Sequence, residues 1–155
     1  MNDPPLIWDA DMVRIGTEEG TMYRTPSSSW RRRIGLRLLV LDEDLGSRRM
    51  MAFLIAMRGH RCATVDSAEG AFASIEEFRP DAIIYDWNRR GGELRGFGHD
   101  VKSRYGYVRG LVVTSCIDEP RGFQVEEGVD GYFTKPLAMG DVITRVELIV
   151  RSRRE

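Results

Sequence analysis

The chain has 155 residues, a length that fits one domain of ordinary size and leaves little room for a second. Its 23 basic and 24 acidic side chains nearly cancel, so the charge gives no reason to expect nucleic acid or an acidic membrane as the main partner. No apolar run approaches the roughly 20 residues that span a bilayer, and the N-terminus lacks a signal-peptide pattern, so we expect a cytoplasmic protein with no membrane partner.

Residues 1 to 33 differ in composition from the rest of the chain, and we interpret them as an N-terminal extension. They contain prolines, the tract TPSSSWRRR and no sustained apolar period. The stretch DMVRIGTEEGTMYRT suits a short hairpin, and disorder is an equally good interpretation. Residues 5 to 25 hold more apolar side chains than a simple linker uses, so we expect this segment to pack on the rest of the chain or on a second copy.

From residue 34 onward, short apolar runs alternate with segments of helical periodicity. This alternation predicts a parallel sheet covered on both faces, and right-handed crossovers give the strand order 2-1-3-4-5. The predicted strands are LRLLVL (36 to 41), RCATV (61 to 65), DAIIY (81 to 85), GLVVT (110 to 114) and DGYFT (130 to 134).

The helices between these strands differ in how clearly the sequence defines them. The first is expected to bury Met50, Phe53, Leu54 and Met57 and to end at Gly59. The second has Ser67 as its cap and is stopped by Pro80. Its buried stripe is Ala68, Ala71, Phe72, Ile75 and Phe78, and that of the last helix is Val142, Val146, Ile149 and Val150. Glycine and charge leave the helices after the third and fourth strands poorly defined.

Polar side chains follow the strands at the edge of the sheet where ligands bind in this architecture. The first strand ends in Asp42-Glu43-Asp44, the third in Asp86, the fourth in Thr114 and the fifth in Lys135. Clustered carboxylates repel one another unless a cation lies among them, and oxygen ligands of this kind suit Mg²⁺. Lys135 is one of only two lysines in an arginine-rich chain, which indicates a position that needs a compact point charge.

The motifs LLVLDED, PDAIIYDWN, GLVVTS and GYFTKP, in this order and at these distances, resemble the receiver domain of two-component response regulators. The resemblance covers about residues 34 to 155 and implies a CheY-like, flavodoxin-like (βα)5 fold. It further implies that Mg²⁺ is bound by Asp42, Glu43, Asp86 and the main-chain carbonyl of Asn88.

The same resemblance assigns roles to the remaining residues at the strand ends. Asp86 would be the phosphoacceptor, Thr114 would hydrogen-bond the phosphoryl oxygen, and Lys135 would pair with it. The peptide bond before Pro136 is expected to be cis. Tyr132 matches the aromatic residue that moves inward together with Thr114 when the domain switches.

The function implied is that of a signalling phosphoacceptor, with no enzymatic activity beyond self-catalysed phosphotransfer and dephosphorylation. A sensor histidine kinase, a histidine phosphotransfer protein or a small phosphodonor would supply the phosphoryl group. Output would run through protein contacts of the fourth helix, fifth strand and fifth helix. We expect no DNA-binding domain in this chain, and a homodimer is an open alternative.

Two departures from the family pattern keep alternatives open. Glu43 is one methylene longer than the usual aspartate, and Arg89 and Arg90 lie in the loop after the phosphoacceptor. One alternative is a degenerate receiver that acts without phosphorylation. Another is a Mg²⁺-dependent phosphohydrolase of the haloacid dehalogenase type, although only Asp141 follows where two carboxylates are needed. His60 and His99 are expected to be solvated.

Overall fold

The computed structural model describes residues 35–87, 94, 96–115, 128–136 and 138–153, together with the backbone of three short strands nearer the N-terminus. Along the chain the elements are β1 (Leu6–Trp8), β2 (Val13–Arg14), β3 (Met22–Tyr23), β4 (Arg37–Leu41), α1 (Leu45–Met57), β5 (Arg61–Val65), α2 (Ala68–Phe78), β6 (Ala82–Asp86), α3 (Phe97–Arg104), β7 (Gly110–Ser115), β8 (Gly131–Thr134) and α4 (Met139–Ser152). No helix in these ranges is long and apolar enough to cross a membrane.

The main sheet has the order β1-β5-β4-β6-β7-β8. Strands β5, β4, β6, β7 and β8 are all parallel, and their order is the predicted 2-1-3-4-5. The α/β fold class and the strand order expected from the sequence are therefore confirmed.

Two hydrophobic layers cover the sheet, and they determine where the polar strand ends point. Val40 of β4 and Ile84 of β6 belong to the layer under α1 and α4. Their neighbours Leu41 and Tyr85 belong to the layer under α2 and α3. Successive side chains of a strand alternate between faces, so the residue after Leu41 and the residue after Tyr85 both return to the α1/α4 face.

The helix ends confirm several sequence signals. Ser67 caps α2 by accepting a hydrogen bond from the backbone N–H of Gly70 at 3.0 Å. The helix ends at Phe78, two residues before Pro80. Gly59 follows α1 with φ +84°, a conformation that favours glycine. The predicted apolar stripe of α4 is buried throughout.

The predicted buried face of α1 is wrong. Met50 and Met57 are 52% and 56% exposed, whereas the helix buries Met51, Ala52, Ile55 and Ala56. The run MMAFLIAM is apolar on every side of the helix, so its spacing does not select one face.

Of the two poorly defined helices, the one after the third parallel strand is α3, over Phe97–Arg104. The segment 116–127, where the other would lie, is outside the described residues. That helix and the output surface assigned to it remain predictions.

The N-terminal extension adds a strand to the sheet. Strand β1 pairs antiparallel with β5, with Leu6 opposite Thr64 and Trp8 opposite Cys62. Strands β2 and β3 pair antiparallel with each other, within the stretch that suits a hairpin. The other residues of 1–33 lie outside the described part of the chain, so the division into extension and receiver remains a proposal.

Candidate functional site

Three side chains converge at the carboxyl edge of the parallel strands, and Lys135 joins them. Asp42 follows β4, Asp86 ends β6 and Thr114 lies in β7 directly beside Asp86. By strand alternation all three point to the α1/α4 face, and all are buried, with Asp42 7% and Asp86 8% exposed. The structure therefore brings these three strand-end residues together, and the roles predicted for them remain proposals.

Lys135 joins the two carboxylates. Its Nζ atom lies 3.2 Å from Asp86 Oδ2 and 3.6 Å from Asp42 Oδ2. Its backbone N–H donates to the carbonyl of Ser115 at 2.7 Å, which anchors the residue to β7, and the Lys135-Pro136 peptide bond is cis. A compact ammonium can contact two oxygens on neighbouring strand ends, whereas a planar guanidinium needs a wider space.

The electrostatics of the site favour an additional cation. Burial raises the pKa of the Asp42 carboxyl, and the charge of Asp86 raises it further, against the opposing effects of the Asp44 N–H and Lys135. Because two buried carboxylates repel each other, a cation between them would favour their ionised forms. Mg²⁺ is commonly held by one or two carboxylates and several waters, so this donor pair fits it.

The loop after β4 fixes the Asp42 carboxylate. The Asp44 backbone N–H donates to Asp42 Oδ1 at 2.9 Å, and Arg48 donates to the carbonyl oxygens of Asp42 at 2.9 Å and Glu43 at 3.3 Å. The Asp44 carboxylate caps α1 by accepting the Ser47 N–H at 2.7 Å, which lowers the pKa of Asp44. Asp44 is therefore engaged as a helix cap.

A cavity of about 200 Å³ opens in front of these groups. Among the described residues, its lining consists of Val40, Leu41, Asp42, Ser47, Met51, Ile84, Asp86, Thr114, Lys135, Pro136 and Met139. Glu43 is exposed and does not line it, and Asn88 lies outside the described residues. In the part of the chain that the structure describes, no three acidic, histidine or cysteine side chains form a metal-binding cluster.

Tyr132 lies away from the cavity. It is opposite Val113 across β7 and β8, is partly buried, and packs against the layer under α2 and α3. Thr114 points to the other face of the sheet. The coupled movement of Thr114 and Tyr132 implied by the resemblance therefore remains a prediction.

The expectation that His60 is solvated is wrong. His60 is buried, its Nδ1 accepts the Leu36 N–H at 3.0 Å, and its Nε2 lies 2.8 Å from Glu147 Oε1. Arg58 also pairs with Glu147, at 3.5 Å, so this cluster ties the start of β5 to α4. Local sequence could not reveal it, because Glu147 lies far along the chain from His60.

The Glu147 cluster predicts a specific pH dependence of stability. Burial raises the pKa of Glu147, but the hydrogen bond from His60 and the charge of Arg58 outweigh burial, so the pKa lies below its ordinary value of 4.5. A depressed folded-state pKa contributes stability above that ordinary value, and the contribution is lost as the pH falls through the folded-state pKa. We expect the Glu147→Gln variant to have a lower free energy of unfolding than wild type at pH 7. In acid this difference in stability between the two proteins should become smaller.

Urea unfolding between pH 7 and pH 3 measures this effect. Glu77→Gln, at an exposed glutamate of α2, is the control and should keep a nearly constant difference from wild type. A stability gap between Glu147→Gln and wild type that stays unchanged across this range would contradict the prediction.

Comparison with known proteins shows that the chain is similar to response regulators. No family model matches it. The phosphate regulon transcriptional regulatory protein PhoB of Pseudomonas aeruginosa is 26% identical over 121 residues, which cover 76% of this chain and 53% of that protein. The transcriptional regulatory protein PrrA of Mycobacterium tuberculosis is 33% identical over 125 residues, which cover 76% of this chain and 51% of PrrA. The chain thus spans about half the length of these curated relatives.

Solved structures give the same result for the fold. The chemotaxis response regulator CheY4 of Vibrio cholerae matches with a TM-score of 0.65 and 20% identity, covering 74% of this chain and 98% of CheY4. A response regulator receiver domain from Clostridium thermocellum matches with a TM-score of 0.68 and 15% identity, covering 77% of this chain and 97% of that one. Sequence matches and fold together show that the chain carries a CheY-like receiver domain of the type found in two-component response regulators.

Proposed function

We propose that the chain is a phosphoacceptor receiver that is phosphorylated on Asp86. The observation that carries this proposal is the buried Asp86 carboxylate, which faces an open cavity with the Lys135 ammonium 3.2 Å from its Oδ2 atom. The Lys135 ammonium beside this carboxylate can neutralise negative charge on a phosphoryl group that binds to Asp86. The phosphoryl group would come from a sensor histidine kinase, a histidine phosphotransfer protein or a small phosphodonor.

The transfer is an in-line displacement in which positioning and charge neutralisation provide most of the rate. An Asp86 oxygen attacks the phosphorus, Lys135 pairs with a phosphoryl oxygen, and the Thr114 hydroxyl donates to another. Asp42 and Asp86 would hold Mg²⁺, with Glu43 and the main-chain carbonyl of Asn88 completing the proposed ligand set. The ion, when bound, neutralises charge on the phosphoryl oxygens.

The output is proposed to be a protein contact that depends on phosphorylation. The relatives PhoB and PrrA are transcriptional regulatory proteins, but the match covers only about half of each, so it does not carry their output to this chain. We propose that the switch runs from Thr114 to Tyr132 and that a partner protein docks on β8 and the neighbouring α4. The proposed function implies a cytoplasmic location. It also implies that the chain catalyses only its own phosphorylation and dephosphorylation.

One structural observation disfavours the phosphohydrolase alternative. In an Asp-x-Asp nucleophile loop both aspartates serve the active site, but the carboxylate of Asp44 accepts the N–H of Ser47 and caps α1. Asp44 does not line the cavity. The second carboxylate of that motif, Asp44, thus serves as the N-terminal cap of α1 and does not take part in the site.

Incubation with phosphoramidate and Mg²⁺, followed by intact mass measurement, tests the proposal. We expect one phosphoryl group per chain, and we expect a chelator to suppress its addition because the two buried carboxylates then lack their cation. An unmodified chain under these conditions would favour the degenerate receiver, which acts without phosphorylation.

A further inference from the structure

The cavity in front of Asp86 combines the polar groups of the proposed phosphoryl site with apolar walls. Its volume is about 200 Å³. Asp42, Asp86, Thr114 and Lys135 lie together at the strand ends, with Lys135 Nζ 3.2 Å from Asp86 Oδ2 and 3.6 Å from Asp42 Oδ2. The other described residues of the lining are mainly apolar and form a recess, with Val40 and Ile84 from the sheet, Met51 from α1 and Met139 from α4.

The recess lies where the leaving group of the phosphodonor must go. Strand alternation directs the side chain of Asp86 toward the α1/α4 face, which is the face that Met51 and Met139 cover. In an in-line displacement the attacking and leaving oxygens lie on opposite sides of the phosphorus. A phosphoryl group held between Asp86 and Lys135 therefore directs its leaving group toward α1 and α4.

We infer that this recess binds the acyl chain of an acyl phosphate, and that Met51 and Met139 make donors with a longer aliphatic chain react faster than acetyl phosphate. The inference rests on the proposed phosphorylation of Asp86 and specifies the donor class of the same site. The ammonium of Lys135 complements the phosphoryl charge, and the apolar walls complement the alkyl chain. Methionine side chains are flexible, so they can adapt to chains of different length.

The chemical step balances without a further reactant. A carboxylate oxygen of Asp86 forms the new bond to phosphorus, and the bond from phosphorus to the acyl oxygen breaks. The electron pair leaves with the carboxylate of the released fatty acid, and no proton is transferred. Acetate, propionate and butyrate are carboxylates of nearly equal basicity, so rate differences among these donors report binding of the chain.

The experiment compares the initial phosphorylation rates of the full chain with acetyl, propionyl and butyryl phosphate. Phosphoramidate, which has no carbon chain, is the reference donor. Each donor is used at a concentration below saturation, in the presence of Mg²⁺. We expect the rate to rise about two- to fourfold per added methylene, as burial of a methylene from water predicts.

Variants at the rim of the recess give a second measurement. Met139 begins α4 and is only partly buried, so substitutions there can be accommodated. We expect Met139→Phe to reduce the ratio of butyryl to acetyl rates and Met139→Ala to shift the preference toward longer chains. Met50→Phe is the matched control, because Met50 precedes Met51 on α1 but is exposed, and it should keep the wild-type ratio.

The possible results separate this inference from the proposed function. Equal rates with the three acyl donors, or an unchanged ratio in Met139→Phe, would overturn the inference while phosphorylation of Asp86 stands. Reaction with phosphoramidate but with none of the acyl phosphates would also overturn the inference while phosphorylation of Asp86 stands. No reaction with any donor, phosphoramidate included, would overturn both.

Discussion

Replacement of Asp86 by asparagine is expected to abolish phosphorylation by any donor. The amide has nearly the shape of the carboxylate, so the fold is retained, but it is a far weaker nucleophile and cannot form the acyl phosphate. Loss of a nucleophile typically reduces the rate on the order of a thousandfold or more. Intact mass after incubation with phosphoramidate and Mg²⁺ measures the effect.

Asp66→Asn is the matched control for Asp86→Asn. Asp66 also follows a parallel strand at the carboxyl edge of the sheet, directly after β5, but it is exposed and does not line the cavity. This variant should be phosphorylated at the wild-type rate. A phosphoryl group on Asp86→Asn, or its loss from Asp66→Asn, would contradict the assignment of the phosphoacceptor.

Replacement of Lys135 by arginine is expected to slow phosphorylation by about a hundredfold or more, the scale on which enzymes lose rate when a preorganised donor is removed. The charge is kept, so this variant tests geometry. Lys135 reaches Asp86 and Asp42 at 3.2 and 3.6 Å from a single nitrogen, and a guanidinium fork cannot occupy that point without moving a strand end. A phosphorylation time course measures the rate.

The other lysine of the chain provides the control. Lys102 lies on α3, where its Nζ donates to the carbonyls of Val108 and Arg109 and pairs with Asp130 at 3.3 Å. Lys102→Arg changes a site outside the cavity where, as at Lys135, one lysine nitrogen contacts several oxygens. The substitution is therefore expected to change thermal stability but not the phosphorylation rate. A wild-type rate in Lys135→Arg would show that a positive charge of any shape is sufficient.

Both lysines occupy positions where one nitrogen contacts several oxygens in a confined space. Elsewhere the chain uses arginine, as at Arg58, whose Nη1 donates to Thr144 Oγ1 at 2.9 Å and whose Nη2 donates to the Gly140 carbonyl at 3.0 Å. This contrast supports the interpretation of Lys135 made from composition. That interpretation depends on the rarity of lysine in this sequence, so it needs no structure.

Local signals predicted the fold where one interpretation clearly fitted the sequence. Ser67 and Pro80 define α2, because a cap and a stop act through the backbone of their own neighbours. The five parallel strands follow from runs that are apolar on both faces, and their order follows from right-handed crossovers and a switch point beside the first strand. The placement of Asp42, Asp86 and Thr114 at one edge then follows from parallel topology alone.

The sequence predicted less where the decisive contact is distant or the local pattern is ambiguous. The run MMAFLIAM offers apolar residues all around α1, and only packing against the sheet and α4 selects Met51 and Ile55 as the buried face. His60 is buried because Leu36 and Glu147 supply partners from elsewhere in the fold. The antiparallel pairing of β1 with β5 depends on an edge that exists only once the sheet has formed.

Locating the phosphoryl group tests the central claim most directly. The full chain is phosphorylated with phosphoramidate and Mg²⁺, reduced with borohydride to convert an acyl phosphate to a stable alcohol, digested and sequenced by mass spectrometry. We expect homoserine at position 86, in the peptide that contains the end of β6. Homoserine at position 42 or 44 instead, or an unmodified aspartate at 86 in a chain that carries the phosphoryl group, would contradict the assignment of Asp86 as the phosphoacceptor.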